Sequence, residues 1–283
     1  MTAPAERAAR FNALIARLPA QAARGAILGL LCIASACAPK ALKLPDGPST
    51  PLDDPSAIVQ EAFGHCGALR SLTLEIGLSG KVGTTRLRGR LQAGFRAPDA
   101  LRLEAVAPFG APFFILAGTD DKATLLLPRD DRVLTDAKPA AVIDALTGLA
   151  LSPADLRAWL AGCPGPAIDV KGARAYGQQW AAIDTADGRV AWVRRTDRWR
   201  LAAATAGRVS IEFADHVGTQ PQRVRIRTEA TVSAPAVDAR LALSQLETNV
   251  ELPAAAFTVN VPPNAAPITI EELRASGPLR ETQ

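Results

Sequence analysis

The sequence predicts a mainly β chain of about a dozen short antiparallel strands with a two-helix insert, closed into a barrel or bent into a strongly curved sheet. Three observations lead there. Apolar residues recur at every second position through much of 72–106 and again from 179 to 246, the period of a sheet with one solvated face. Turn signals such as Gly80–Gly83 and Pro98-Asp99 separate the runs. Between 139 and 162 the period changes to that of helices.

Taken in order, the body opens on a helix. Asp54-Pro55 offers an N-cap and a proline at the first helical position, and Ile58, Val59, Ala62, Phe63 and Cys66 share one face. Strands follow at 72–78, 87–95 and 101–106, then at Phe113–Ala117, Ala123–Leu127 and Arg132–Thr135. In the insert, Val142, Ile143 and Leu146 suit a short helix that Gly148 ends. Ser152-Pro153-Ala154-Asp155 is a capping box with proline at its first helical position; Leu156, Trp159 and Leu160 share the next face and Gly162 stops it. Strands resume at 179–185, 190–194, 198–203, 208–213, 223–228 and 239–246. No internal repeat is visible.

The first residues read as an address. Residues 25–36 are uncharged and apolar, follow Arg17 and Arg24, and end in small residues, the order of a secretory signal. The run is too short to span a bilayer, which takes about 20 residues. Ala34-Ser35-Ala36-Cys37 resembles a bacterial lipobox, with alanine where leucine is usual. In that motif the cysteine becomes the acylated mature N-terminus; the alternative is a plain cleaved signal with Cys37 incidental. Ala38, where an aspartate would retain the protein at the inner membrane, points to a lipid anchor on the periplasmic face of the outer membrane. Two acyl chains at about 0.8 kcal/mol per methylene hold such an anchor stably. Residues 37–56, with Pro39, Pro45, Pro48, Pro51 and Pro55, read as a Pro-rich tether.

Charge and motif content exclude several functions. The chain carries +4, but 1–36 hold four arginines against Glu6, leaving the rest near neutral. Nucleic acid is therefore not an expected partner, because phosphate binding needs a basic excess. There is no Gly-x-Ser-x-Gly, P-loop, His-Glu-x-x-His or Cys-x-x-Cys. Asp120-Asp121 and Asp130-Asp131 read as solvated turns. His65 beside Cys66 lacks the second half of a metal site, and His216 reads as a turn residue. No catalytic residue, cofactor or metal is expected, and the chain is not read as an enzyme. Cys66 and Cys163 stand at helix ends; in an oxidising compartment they suit a disulfide pinning the first helix to the insert, against the alternative of two buried thiols.

Four segments carry a family likeness: Glu104-Ala105-Val106-Ala107-Pro108-Phe109-Gly110, Asp120-Asp121-Lys122, Leu146-Thr147-Gly148, and 156–165, where Leu156, Trp159, Gly162, Pro164 and Gly165 form Leu-x-x-Trp-x-x-Gly-x-Pro-Gly. Their order resembles the LolB family of outer-membrane lipoproteins, of the LolA/LolB lipoprotein-localisation type. The likeness is good over 101–166, fair over 69–100 and 167–228, and lost after 246. It implies an incomplete antiparallel β-barrel of about 11 strands over 57–250, with an N-terminal helix and the two-helix insert covering the mouth. It further implies a monomer that takes acylated lipoprotein cargo from a periplasmic LolA-like carrier and inserts it in the membrane. On that reading the apolar wall is Leu74, Ile76, Leu87, Leu103, Ile115, Leu125 and Leu127, with Val142, Ile143, Leu156 and Trp159 on the covering helices. A projecting loop, here Pro108, Phe109 and Gly110, would touch the membrane. Two departures stand out. Cys163 interrupts the motif, and 251–283 has no counterpart; its Phe257, Val259 and Val261 at strand spacing would add a strand or bind a partner. The competing reading is a structural or assembly lipoprotein of the same fold that binds a protein or another hydrophobic ligand.

Overall fold

Alternation builds the sheet. In β2 (Ser71–Val82), Leu72, Leu74, Ile76 and Leu78 are buried while Gly77 and Ser79 face solvent. The computed structural model describes residues 42–276 apart from 108, 120 and 233. β3 (Thr85–Arg96), β4 (Ala100–Val106), β5 (Phe114–Thr119), β6 (Lys122–Leu127) and β7 (Arg132–Ala137) continue from β2 as one antiparallel meander. A second meander runs through β8 (Val170–Tyr176), β9 (Trp180–Thr185), β10 (Val190–Arg195), β11 (Trp199–Ala206), β12 (Val209–Ala214), β13 (Arg223–Thr228) and β14 (Val237–Thr248). The two join where β14 lies antiparallel to β2, with Leu241 opposite Leu78.

The result is one sheet of 15 strands that does not close into a barrel. It exceeds the expected count of about 11 because β8 gave no clear alternation and because two-residue strands finish both edges. β1 (Thr50–Pro51) pairs with β8, and β15 (Ala266–Pro267) runs parallel to β7. β1 also corrects the tether: residues 50–52 dock on the sheet, with the Leu52 amide donating to the Ala173 carbonyl at 3.0 Å.

Four helices are described. α1 (Ser56–Phe63) buries Ala62 and Phe63. α2 (Pro139–Thr147) and α3 (Pro153–Leu160) pack on the inward face and put Val142, Ile143, Leu146, Trp159 and Leu160 into the same core as β2–β6. The family-like motifs are joints of this layer. Gly148 ends α2 in the left-handed region at φ +74°, where a Cβ would lie 3.1 Å from Val82 Cγ1. Ser152 caps α3 by accepting from the Asp155 amide at 3.0 Å. Trp159 Nε1 donates to the Pro164 carbonyl at 3.2 Å. Gly162, at φ +79°, passes so near the Thr219 carbonyl that a Cβ would stand 2.7 Å from it.

The C-terminal extension is part of the body. From 249 it crosses the outward face of the first meander. The Arg70 amide donates to Asn249 Oδ1 at 2.7 Å, Arg96 to the Leu252 carbonyl at 2.8 Å, and Arg102 to the Ala256 and Thr258 carbonyls. Phe257, in a 3-10 turn at Ala254–Phe257, is buried beneath the Arg96 guanidinium, whose centre lies 4.8 Å from the ring centroid. Val259 and Val261 form no strand, contrary to their spacing. The chain then adds β15 and α4 (Ile270–Ser276) beside α2, where Arg274 pairs with Asp144 at 2.9 Å and Leu273 is wholly buried. No described helix is long and apolar enough to cross a membrane.

Candidate functional site

Two features of the fold hold the residues expected to meet a hydrophobic ligand: the inward face with its covering helices, and the loop between β4 and β5. On the inward face, Leu74, Ile76, Leu87, Leu103, Leu125 and Leu127 are buried in one cluster with Val142, Ile143 and Trp159. Leu156 is half-buried against it. Ile115 is a correction. It lies opposite Glu104 and Leu126 and faces outward, while its neighbours Phe114 and Leu116 enter the core opposite Ala105 and Leu103. The physical reason is the side-chain period of two: a one-residue error in strand phase exchanges the faces. The apolar residues of α2 and α3 share one buried cluster with the wall.

The β4–β5 loop is built differently. Phe109 is 90% exposed, the extreme among the described large aromatics, and Phe113 is 39% exposed. Gly110 sits at φ +77° with open space around it, which makes the reversal beside Phe109. Pro108 lies outside the described residues. Arg129, in the turn between β6 and β7, holds the loop from the side. Its Nε donates to the Ala111 carbonyl at 3.0 Å and its Nη2 to the Phe109 carbonyl at 3.2 Å. Its guanidinium also stacks 4.1 Å from the Phe113 ring centroid. Phe113 thus belongs to the loop; the strand begins at Phe114. Sequence reasoning missed Arg129, because a side chain reaching backbone carbonyls 18 and 20 residues away leaves no periodic trace.

At the opposite end of β4, Cys66 and Cys163 are disulfide-bonded and tie the segment after α1 to the end of α3. His65 Nε2 lies 3.6 Å and 3.7 Å from the two sulfurs and 3.2 Å from the Ala161 carbonyl. With both sulfurs bonded to each other, the three residues make a packing contact, not a ligand set. Burial pushes the His65 imidazole below its ordinary range. Beside the disulfide a groove of about 460 Å³ runs between Leu69, Pro98 and Arg157. A second groove, about 410 Å³, lies under the C-terminal crossing, bordered by Thr73, Glu75, Gln92, Arg102 and Glu104. Its lining is mixed, with Leu74, Ala93, Leu252, Ala256 and Phe257 beside the polar residues. Cys37 lies outside the described residues, as does Asp120. Asp130 and Asp131 sit in the turn beside Arg129.

With the geometry in place, solved structures offer likenesses. The chain is similar to a LolA superfamily protein from Nitrosomonas europaea, 11% identical, with a TM-score of 0.45 over 72% of this chain and 96% of that one. It is similar to a domain of a putative outer membrane lipoprotein-sorting protein from Vibrio parahaemolyticus, at 12% identity and a TM-score of 0.42 over 71% and 94%. It is also similar to the Mycobacterium tuberculosis lipoprotein LppX, at 11% identity and a TM-score of 0.30 over 73% and 97%. No family model matches the chain, and no curated protein matches it.

Proposed function

We propose that this chain is an envelope lipoprotein, anchored through Cys37, that takes up the acyl chains of cargo lipoproteins and delivers them to the outer membrane without catalysis. The carrying observation is Phe109. A phenylalanine held in full exposure at the tip of a braced loop is out of place on a surface that interacts only with water. Burying one phenylalanine yields about 1.5–3 kcal/mol, enough for brief contact with a bilayer and too little for residence. That suits a protein that meets membrane repeatedly. The acyl chains would lodge between the inward face and α2–α3, the helices lifting from Leu103, Leu125 and Leu127 as ligand enters. The donor would be a soluble periplasmic LolA-like carrier, and transfer would follow a gradient of affinity.

The test separates uptake from delivery. Native mass spectrometry of the protein with an acylated peptide should show a bound species that Leu103→Asp abolishes. Phe109→Glu should keep that species and lose transfer of the peptide to vesicles. A protein that binds no acylated peptide would sink the carrier reading. The competing reading would act through a sheet edge or through 249–276, which is ordered against the body, and a failure of peptide uptake would leave it standing.

A further inference from the structure

Strand register gathers an array of cations on the outward face of β13, β14, β2 and β3. Residues opposite one another in antiparallel strands share a face, so three rows can be read across the sheet. The first holds Arg227, Asp238, Lys81 and Arg86. The second holds Arg225, Arg240, Ser79 and Arg88. The third holds Arg223, Ala242, Gly77 and Arg90. Eight of these twelve positions are Lys or Arg and one is acidic. Two further carboxylates reach the array, Glu212 to Arg225 and Arg227, and Asp215 to Arg223. Together with Asp238, which receives Arg225 at 2.8 Å, they set three carboxylates against the eight cations among the described ion pairs. Yet residues 42–276 hold 26 basic and 26 acidic side chains and are neutral as a whole. The charge is segregated.

The array is open to solvent, and a groove of about 830 Å³ indents it beside Lys81, Arg225 and Arg227. Three strand spacings and two pleat repeats give about 14 Å by 14 Å. Gly77, Ser79 and Ala242 at its centre are small and exposed, so the longer cationic side chains stand above them. The C-terminal crossing covers this face only over the Thr73, Glu75 and Gln92 rows and stops short of the Gly77–Arg90 row. The Phe109 loop leaves β4 at Val106, which lies opposite Arg90. Basic rows and aromatic tip therefore occupy the same end of the sheet.

We infer that this face seats the protein on an anionic bilayer surface, its cations meeting lipid phosphates while Phe109 enters the interface. Cations beside an exposed aromatic are the composition of an interfacial anchor, and their spread over three rows and four strands matches many headgroups. The inference deepens the delivery reading and rests on it for its purpose. It states which side of the molecule faces the membrane.

The experiment uses the Cys37→Ser chain, which cannot be acylated, and no cargo. Flotation with phosphatidylcholine vesicles, with and without phosphatidylglycerol, reads binding directly. Binding is expected only with phosphatidylglycerol and is lost when salt rises from about 0.05 M to 0.5 M. Each basic side chain near an anionic surface is worth about fivefold. The Arg86→Gln/Arg88→Gln/Arg90→Gln variant should then bind on the order of 100-fold more weakly, with unchanged circular dichroism. Lys81→Gln/Arg240→Gln is a second variant, with an expected loss of about 25-fold. Equal binding to phosphatidylcholine, undiminished binding by both variants, or capture of an acidic protein with no vesicle binding would each overturn the inference. Acyl-peptide uptake, measured without vesicles, is untouched by these outcomes, so the two readings fail separately.

Discussion

Replacing Arg129 by methionine isolates the brace from the tip it holds. The side chain makes two hydrogen bonds to loop carbonyls, at 3.0 Å and 3.2 Å, and one cation–π contact at 4.1 Å. Each hydrogen bond is worth about 0.5–1.5 kcal/mol net, at the low end here because the loop is exposed, and the stacking adds about 0.5–1 kcal/mol. The sum, about 1.5–2 kcal/mol, lowers the population of the ordered loop by roughly 10- to 30-fold. Global stability should change by less than about 0.5 kcal/mol, since none of these groups is in the core. Lysine should not rescue, because an ammonium cannot bridge two carbonyls and stack at once. Hydrogen exchange at the amides of 109–113 should speed up, and transfer of a fluorescent acylated peptide to vesicles should slow by up to the same factor while uptake is unchanged. A variant with parent exchange rates and parent transfer would show that the loop needs no brace.

Other outcomes follow from the same structure. The Cys66–Cys163 bond closes a loop of 97 residues, so the Cys66→Ala/Cys163→Ala protein should lose about 4–5 kcal/mol by chain entropy; a urea-unfolding loss below about 1 kcal/mol would contradict that account. Leu116→Ala should cost about 2–5 kcal/mol and Ile115→Ala about 1 kcal/mol or less, and reversed costs would overturn the assigned strand phase. Burial lowers the pKa of both His65 and His216. A group with a depressed folded pKa contributes stability above its unfolded value, about 6.5 for histidine, and loses it as pH falls. The urea midpoint should therefore drop from pH 7.5 to 5.5, and His65→Gln/His216→Gln should flatten that drop; an unchanged slope would assign the effect to other groups.

Where one face of a strand is wet, the sequence was legible. Leu72–Leu78 and Leu101–Val106 alternate cleanly, and the inward positions of β2 and β4 were read correctly. β5 was not, and the reason is physical. Phe114 to Ala117 is apolar throughout: Phe114 and Leu116 enter the core, and Ile115 on the other face is half-buried, with the turn at Ala254–Phe257 against this strand. Alternation then vanishes and nothing local fixes the phase. The exposure expected of Phe109 rested on the family resemblance and on the proline and glycine that flank it, a local signal. Arg129 and the basic rows had no local signal. Each exists only through contacts between strands, and the rows emerge only when the register of β13, β14, β2 and β3 is known.

The single join between β14 and β2 constrains how the molecule is made. Each meander pairs neighbours in sequence, so each can assemble as soon as its own strands are available. The join pairs Val82 with Val237 and Leu72 with Thr248. It must wait until most of the polypeptide has been synthesised, and until then two sheet edges stand open to wrong partners. A chain cut short before 237 would lack β14 and leave the facing edges of β2 and β13 open. A strand made late in synthesis thus closes the two inner edges left by the strands before it.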